Sequence, residues 1–259
     1  LHQRFNRSDA QLESQKVANI DGVDLVLGSN EKANLVQFLS DAWGNRTDGA
    51  HLHIYHSVKT KDIKTFQPSC SRGNRTRYFL KVQDGCSYFC TYCTIPYARG
   101  FSRNPSIESL VEQARQAADE GGKEIVLTGV NIGDFGATTK ERFIDLVKAL
   151  DKIEGIKRYR ISSLEPDLLD DELIEYCAQS REKMPDAFIG VDVMVGCRGE
   201  HPEHFEECYD FLDGLDVTQL HVFPYSERPG TSALSIPYVV DDAEKKKRCN
   251  RLLALSDSK

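Results

Sequence analysis

The stretch DGCSYFCTYCTIPYARG, residues 84–100, sets Cys86, Cys90 and Cys93 within eight positions of a chain that has eight cysteines in all. The spacing of three and then two intervening residues leaves no second C-x2-C pair, which a four-cysteine zinc site usually shows, so zinc is the weaker metal reading. Three thiolates at this spacing suit a [4Fe–4S] cluster in which the protein holds three irons and the fourth stays open. A loop that merely collects three thiols is the remaining alternative, and exposed thiols are reactive enough to make it a poor one.

The loop follows RYFLKVQDG (77–85), a strand pattern, and from there strand-like and helix-like runs alternate. SIESLVEQARQAADEG (106–121) predicts a helix opened at Pro105-Ser106 and closed at Gly121-Gly122. KEIVLTGV (123–130) predicts a strand, TKERFIDLVKALDKI (139–153) a helix, RYRISSL (158–164) a strand and DDELIEYCAQSREK (170–183) a helix. AFIGVDVMVG (187–196), HPEHFEECYDFLDGL (201–215) and QLHVFPY (219–225) add strand, helix and strand. Such alternation predicts a parallel sheet with ligands beyond the strand C-termini. Five strands are too few for a closed eight-stranded barrel, so the expected fold is α/β, an open or partial (β/α) barrel. Upstream, GVDLVLG (22–28) reads as a short strand and SNEKANLVQFL (29–39) as a helix capped by Ser29 or Asn30. Residues 46–75 carry little periodicity and read as a linker between a remnant α/β domain (1–45) and the main domain (76–259).

The chain has 259 residues with ordinary hydrophobic content. No run approaches the roughly 20 apolar residues of a membrane helix, and the polar start LHQRFNRSDAQLES has no apolar signal core, so a soluble, cytoplasmic protein is expected. Cys70, Cys177, Cys197, Cys208 and Cys249 lack framework spacing and are expected to be mostly buried thiols, not disulfide partners. A net charge of −7 argues against nucleic-acid binding through bulk positive charge; any such partner would need a local patch or another domain.

CSYFCTYC (86–93), with Tyr92 directly before the last cysteine, resembles the signature of the radical S-adenosylmethionine (SAM) superfamily. The resemblance implies that the amino and carboxylate groups of SAM chelate the open iron, and that the reduced cluster cleaves SAM to a 5′-deoxyadenosyl radical. EGGKEIVLTG (120–129) resembles the family's Gly-Gly-Glu motif, which implies SAM contacts for Gly121, Gly122 and Glu124; a helix cap before a strand is the alternative. Asn131 in NIGDFG (131–136), and Ser163 and Glu165 in ISSLEP (161–166), are candidates for the SAM ribose and carboxylate, with loop capping as the alternative. Arg198 in FIGVDVMVGCRGE (188–200) could pair a carboxylate. No catalytic residue is assigned beyond the cluster ligands. Tyr88, Phe89, Tyr97, Arg99, Phe101 and Arg103 could stack on an unpaired base or pack over the cluster.

YSERPGT (225–231) resembles the last-strand motif of the methylthiotransferase branch. With RTRYFLKVQDGC, CTIPYARG and PDAFIGVDVMVG, the chain is most similar to the branch acting on N6-threonylcarbamoyladenosine beside the tRNA anticodon. The branches acting on isopentenyladenosine or on a ribosomal-protein aspartate are the sister readings, and a non-catalytic iron–sulfur electron carrier is the reading from another class. The resemblance implies a tRNA anticodon loop as substrate and a reducing partner such as flavodoxin or ferredoxin. It further implies a second [4Fe–4S] cluster on three N-terminal cysteines, a C-terminal RNA-binding β-barrel, and another strand–helix unit near YCAQSREKMPD (176–186). Only Cys70 precedes Cys86, so the expectation is a truncated or joined chain that cleaves SAM without placing sulfur.

Overall fold

A computed structural model describes residues 7–44, 54–71, 77–176 and 187–259. The chain divides into two compact units, Leu1–Phe89 with Thr94–Ile174, and Cys90–Cys93 with Glu175–Lys259.

In the first unit, α1 (Arg7–Leu12) and α2 (Ser14–Ala18) precede β1 (Leu25–Leu27). β1 pairs in parallel with β2 (Ile54–His56), which lies inside the stretch read as a linker. The helix expected from Ser29 begins later: a 3₁₀ turn covers Lys32–Asn34 and α3 runs Leu35–Gly44. Neither Ser29 nor Asn30 caps it; Ser29 Oγ donates to the Ala98 carbonyl at 3.2 Å, leaving Glu31 to open the turn.

The main sheet of this unit is β3 (Arg77–Lys81), β4 (Glu124–Thr128) and β5 (Arg158–Ile161), all parallel and in that order, with Arg77, Glu124 and Arg158 in register. One face is apolar because alternate residues point to it: Tyr78, Leu80, Ile125 and Leu127 are buried. α5 (Ile107–Asp119) packs on β3 and against α6 (Phe143–Asp151). Leu110, Ala114 and Ala117 recur at helical spacing and are buried, as are Ile144, Leu146 and Leu150 of α6. Each buried Leu or Ile contributes about 1.5–3 kcal/mol. α5 starts where the Ser106 hydroxyl accepts from Ser109 N–H at 3.3 Å and stops at Gly121, whose φ of +88° ends the helical path. Between β3 and α5, the short α4 (Ile95–Arg99) packs on α1.

In the second unit, β6 (Gly190–Val195) pairs in parallel with β7 (Gln219–Pro224). Val193, Val195 and Leu220 form a core with Phe205 and Leu212 of α7 (Pro202–Gly214) and Leu252 and Leu255 of α8 (Asp242–Asp257). Arg248 on α8, 1% exposed, is paired with Glu200 at 2.5 Å and Glu244 at 3.0 Å, the pairing a buried guanidinium requires.

Parallel strands thus alternate with helices in an α/β architecture, and the described strands form sheets of two, three and two strands with no closed barrel. The expected helix at 170–183 is seen at 171–176; the remainder, with Cys177 and nearly all of YCAQSREKMPD (176–186), lies outside the described residues. The scattered cysteines are less buried than expected: Cys70, Cys197 and Cys249 are half-buried and Cys208 is exposed. No helix among the described residues is long and apolar enough to cross a membrane.

Candidate cofactor site

The cysteine loop leaves the C-terminal end of β3 and is closed at its base by an ion-pair clasp. Asp84 and Arg103 exchange backbone hydrogen bonds at 2.9 Å in both directions. The Asp84 carboxylate also meets Arg103 at 2.9 Å, Lys81 at 2.8 Å and Arg99 at 3.3 Å. Burial would raise its pKa, but Arg99, Lys81 and Arg103 outweigh that and hold it below the usual carboxylate range. The turn at Gly85 has φ +72°, and a Cβ there would lie 2.1 Å from the Phe101 carbonyl oxygen, so only glycine fits. Cys86, buried, follows, and its N–H donates to Gly100 O at 3.0 Å.

Gln83, fully buried, ties this loop to the end of β4. Its Nε2 donates to Gly85 O at 2.7 Å, Ser102 Oγ at 2.8 Å and Asp84 O at 3.2 Å, while its Oε1 accepts from Val130 N–H at 2.8 Å and Asn131 N–H at 3.1 Å. Beside it, Asn131 is 2% exposed, yet neither Nδ2 nor Oδ1 has a hydrogen-bond partner among the described residues. A buried amide without partners costs free energy unless a ligand or water meets it. The neighbouring Asp134 Oδ2 is in the same condition.

The structure sorts the residues expected from sequence. Asn131 and Ser163 come together at the C-terminal ends of β4 and β5, where Ile132 N–H donates to Ser163 O at 2.9 Å and Ser163 takes φ +54°. Glu165 is exposed just beyond, opening a 3₁₀ turn. Gly121, Gly122 and Glu124 are not brought there. They lie at the N-terminal end of β4, about 13 Å of strand away at about 3.3 Å per residue. Gly121 ends α5, and Gly122 lets Tyr78 and Ala117 approach within 2.7–2.9 Å of where a Cβ would stand. Glu124 is engaged by Arg77 at 3.1 Å, Arg160 at 2.8 Å and Arg158 at 3.5 Å.

In the second unit, Cys93 N–H donates to Cys90 O at 2.9 Å, and both residues are half-buried. Arg198 is paired with Glu227 at 2.6 Å and donates to Leu234 O and Ile236 O at 3.0 Å, so it serves its own chain. Among the described residues no three His, Cys, Asp or Glu side chains are gathered as metal ligands, so the ligand set rests on the spacing in the sequence.

The residues considered for base stacking also separate. Arg103, 4% exposed, is spent on Asp84 and on the carbonyls of Thr65, Arg99 and Phe101, and is not available to stack. Phe89, Tyr97 and Phe101 are all exposed, with Phe89 5.4 Å and 5.8 Å from the other two rings. Phe89 has φ +51°, a strained conformation for a bulky residue. Tyr88 donates to Asp167 at 2.6 Å, and that bond pushes its pKa up to about 12. Sequence reading missed Asp84 and Gln83; their only signal was the position, directly before the cysteine loop.

A parallel α/β core with a three-cysteine loop at a strand's C-terminal end describes a radical SAM protein, and the Radical SAM superfamily model matches residues 80–181. The chain is 33% identical to the threonylcarbamoyladenosine tRNA methylthiotransferase MtaB of Bacillus subtilis (strain 168), over 96% of this chain and 63% of that protein. It is 31% identical to the MtaB of Aquifex aeolicus (strain VF5), over 96% and 70%. It is 27% identical to the tRNA-2-methylthio-N(6)-dimethylallyladenosine synthase of Alkaliphilus oremlandii (strain OhILAs), over 89% and 56%. The chain belongs to the MtaB-like family of radical SAM methylthiotransferases.

Proposed function

We propose that the whole protein adds a methylthio group to carbon 2 of N6-threonylcarbamoyladenosine in the tRNA anticodon loop. The observation that carries this reading is the join made by Gln83 between the base of the cysteine loop and the unpartnered Asn131 amide, together with the relatives named above. Cys86, Cys90 and Cys93 would hold a [4Fe–4S] cluster, and the three-thiol donor set fits it. Asn131 and Ser163 would meet SAM; the buried, unsatisfied amide fits a polar ligand. When bound, cluster and SAM together supply a carbon radical able to activate an otherwise unreactive C–H bond.

The chain's own part is to place and shelter. The Asp84 clasp fixes the start of the ligand loop, and Gln83 fixes Asn131 relative to it. Phe89, Tyr97 and Phe101 offer ring faces for a base turned out of a single-stranded loop. The assignment extends to a radical SAM core over 76–259, a linker over 46–75 and part of a preceding domain over 1–45. A second [4Fe–4S] cluster on cysteines outside this sequence would supply sulfur, with a flavodoxin or ferredoxin as electron donor in the cytoplasm. Mass spectrometry of tRNA nucleosides from cells lacking the gene tests the reading. Loss of the 2-methylthio form of threonylcarbamoyladenosine alone is expected; loss of the dimethylallyl form, or of none, overturns it.

A further inference from the structure

α7 and α8 cover one face of the β6–β7 sheet, and among the described residues the other face is left exposed at Asp192, His221 and Phe223, although parallel sheets are ordinarily covered on both. On the uncovered face Asp192 stands in register with His221, and Met194 with Phe223. His221 Nδ1 is 3.0 Å from Asp192 Oδ1, and both side chains are 77% exposed. A hydrogen-bonded pair that open adds little to stability, so the fold itself does not call for it. The Phe223 ring lies 5.7 Å from the imidazole and is also exposed. β7 runs at its C-terminal end into the segment that carries Ser232 and Ala233, and both donate to the carbonyl of Thr91, between Cys90 and Cys93. Within one unit, therefore, the chain that leaves β7 is hydrogen-bonded to the turn between two of the three cysteines.

A carboxylate only accepts hydrogen bonds, so Asp192 fixes a proton on Nδ1 and turns Nε2 of His221 outward. Once protonated, that nitrogen is a charge-assisted donor for a carboxylate or a urea oxygen. The threonylcarbamoyl group carries both, whereas a dimethylallyl group has no polar atom to meet it. We propose that His221, oriented by Asp192, is the specificity-determining contact to the threonylcarbamoyl substituent of the substrate adenosine, with Phe223 beside it as an apolar surface. The proposal rests on the substrate reading above.

The test uses the full-length protein and two anticodon stem–loops, one with threonylcarbamoyladenosine and one with unmodified adenosine. The affinity gain from the threonylcarbamoyl group, a ratio of two dissociation constants on one preparation, does not depend on the fraction that is folded. We expect a gain of about tenfold or more in the wild type, falling close to one in His221→Ala and partly in Asp192→Asn, as expected when a hydrogen bond to a charged group is lost. A gain unchanged in His221→Ala overturns the proposal and leaves the substrate reading standing. A wild-type protein that binds the modified loop but never converts it to the methylthio product overturns the substrate reading, and the proposal with it.

Discussion

The two ends of the β3–β4–β5 sheet hold their polar groups in opposite ways. At the C-terminal end Asp84, Gln83, Arg103 and Asn131 are all buried, and every one but Asn131 has its side chain engaged. At the N-terminal end Glu124 is surrounded by Arg77, Arg158 and Arg160, whose side chains are about half exposed. Exposed pairs are screened and weak, whereas buried ones are costly to break. The first end therefore has reason to be rigid and to receive a ligand; the second is a charge cluster in which Glu124, 13% exposed, meets arginines that reach solvent. This matches the general rule that parallel α/β folds bind ligands beyond the strand C-termini.

The comparison breaks most visibly at Asp84. Asp84→Asn removes the charge opposite Arg103, which is 4% exposed, and an orphaned buried charge of this kind costs about 3–5 kcal/mol. A loss of that size in urea unfolding, with reduced iron uptake, is the expected result; a loss below about 1 kcal/mol would show that the clasp does not hold the loop. The pH dependence has a fixed sign. Because the folded pKa is depressed, the contribution is fully present above the ordinary Asp value of about 3.9 and is lost as pH falls through the lower folded value. The wild type should therefore lose stability in that acid window, and Asp84→Asn should show less of this slope.

Gln83→Leu keeps approximate volume but leaves the N–H groups of Val130 and Asn131 without their acceptor. Each unsatisfied buried group costs about 1–3 kcal/mol. Destabilisation of about 2–4 kcal/mol is expected, together with faster amide exchange at residues 130 and 131. Unchanged exchange there would mean that Gln83 does not join the loop to β4.

How much of this was legible beforehand follows from where the signals lie. The five core strands are dense apolar runs and α5 carries its own cap and stop, so sequence reading found them. α8 escaped because its inward face is Arg248, Leu252 and Leu255 in an otherwise charged run, and the buried Arg248 reads as surface until Glu200 is brought to it. β2 is only three residues long within a polar stretch, and its pairing with β1 is a long-range fact. The Gly-Gly-Lys-Glu match falls at the N-terminal end of β4, opposite the end that leads to Asn131, and a motif resemblance alone carries no direction along the strand. Asn131 was legible as a candidate, but that its amide is buried and unsatisfied is a property of the fold alone.

Asn131→Ala should therefore hardly change stability, because no side-chain hydrogen bond is lost, while SAM affinity of the reconstituted protein falls about tenfold, as for one polar contact. Equilibrium binding with iron content measured in parallel decides it; equal affinity at equal iron would give the amide no ligand role.

The smallest effect is expected at Glu124, and it is the sharpest test of the difference between the two ends. Glu124→Gln weakens three pairings between a carboxylate that is 13% exposed and arginines that reach solvent, but the amide keeps an acceptor oxygen for them, so a loss of about 1 kcal/mol is expected. If the N-terminal end is only a charge cluster, SAM affinity and iron content stay at wild-type levels while the thermal midpoint drops slightly, and added salt shrinks that drop. If SAM affinity falls while stability holds, the motif resemblance located the cofactor correctly and the contrast between the ends fails. Asn131→Ala and Glu124→Gln thus make opposite demands on the same binding assay, and the sheet's polarity requires that only the first weaken it.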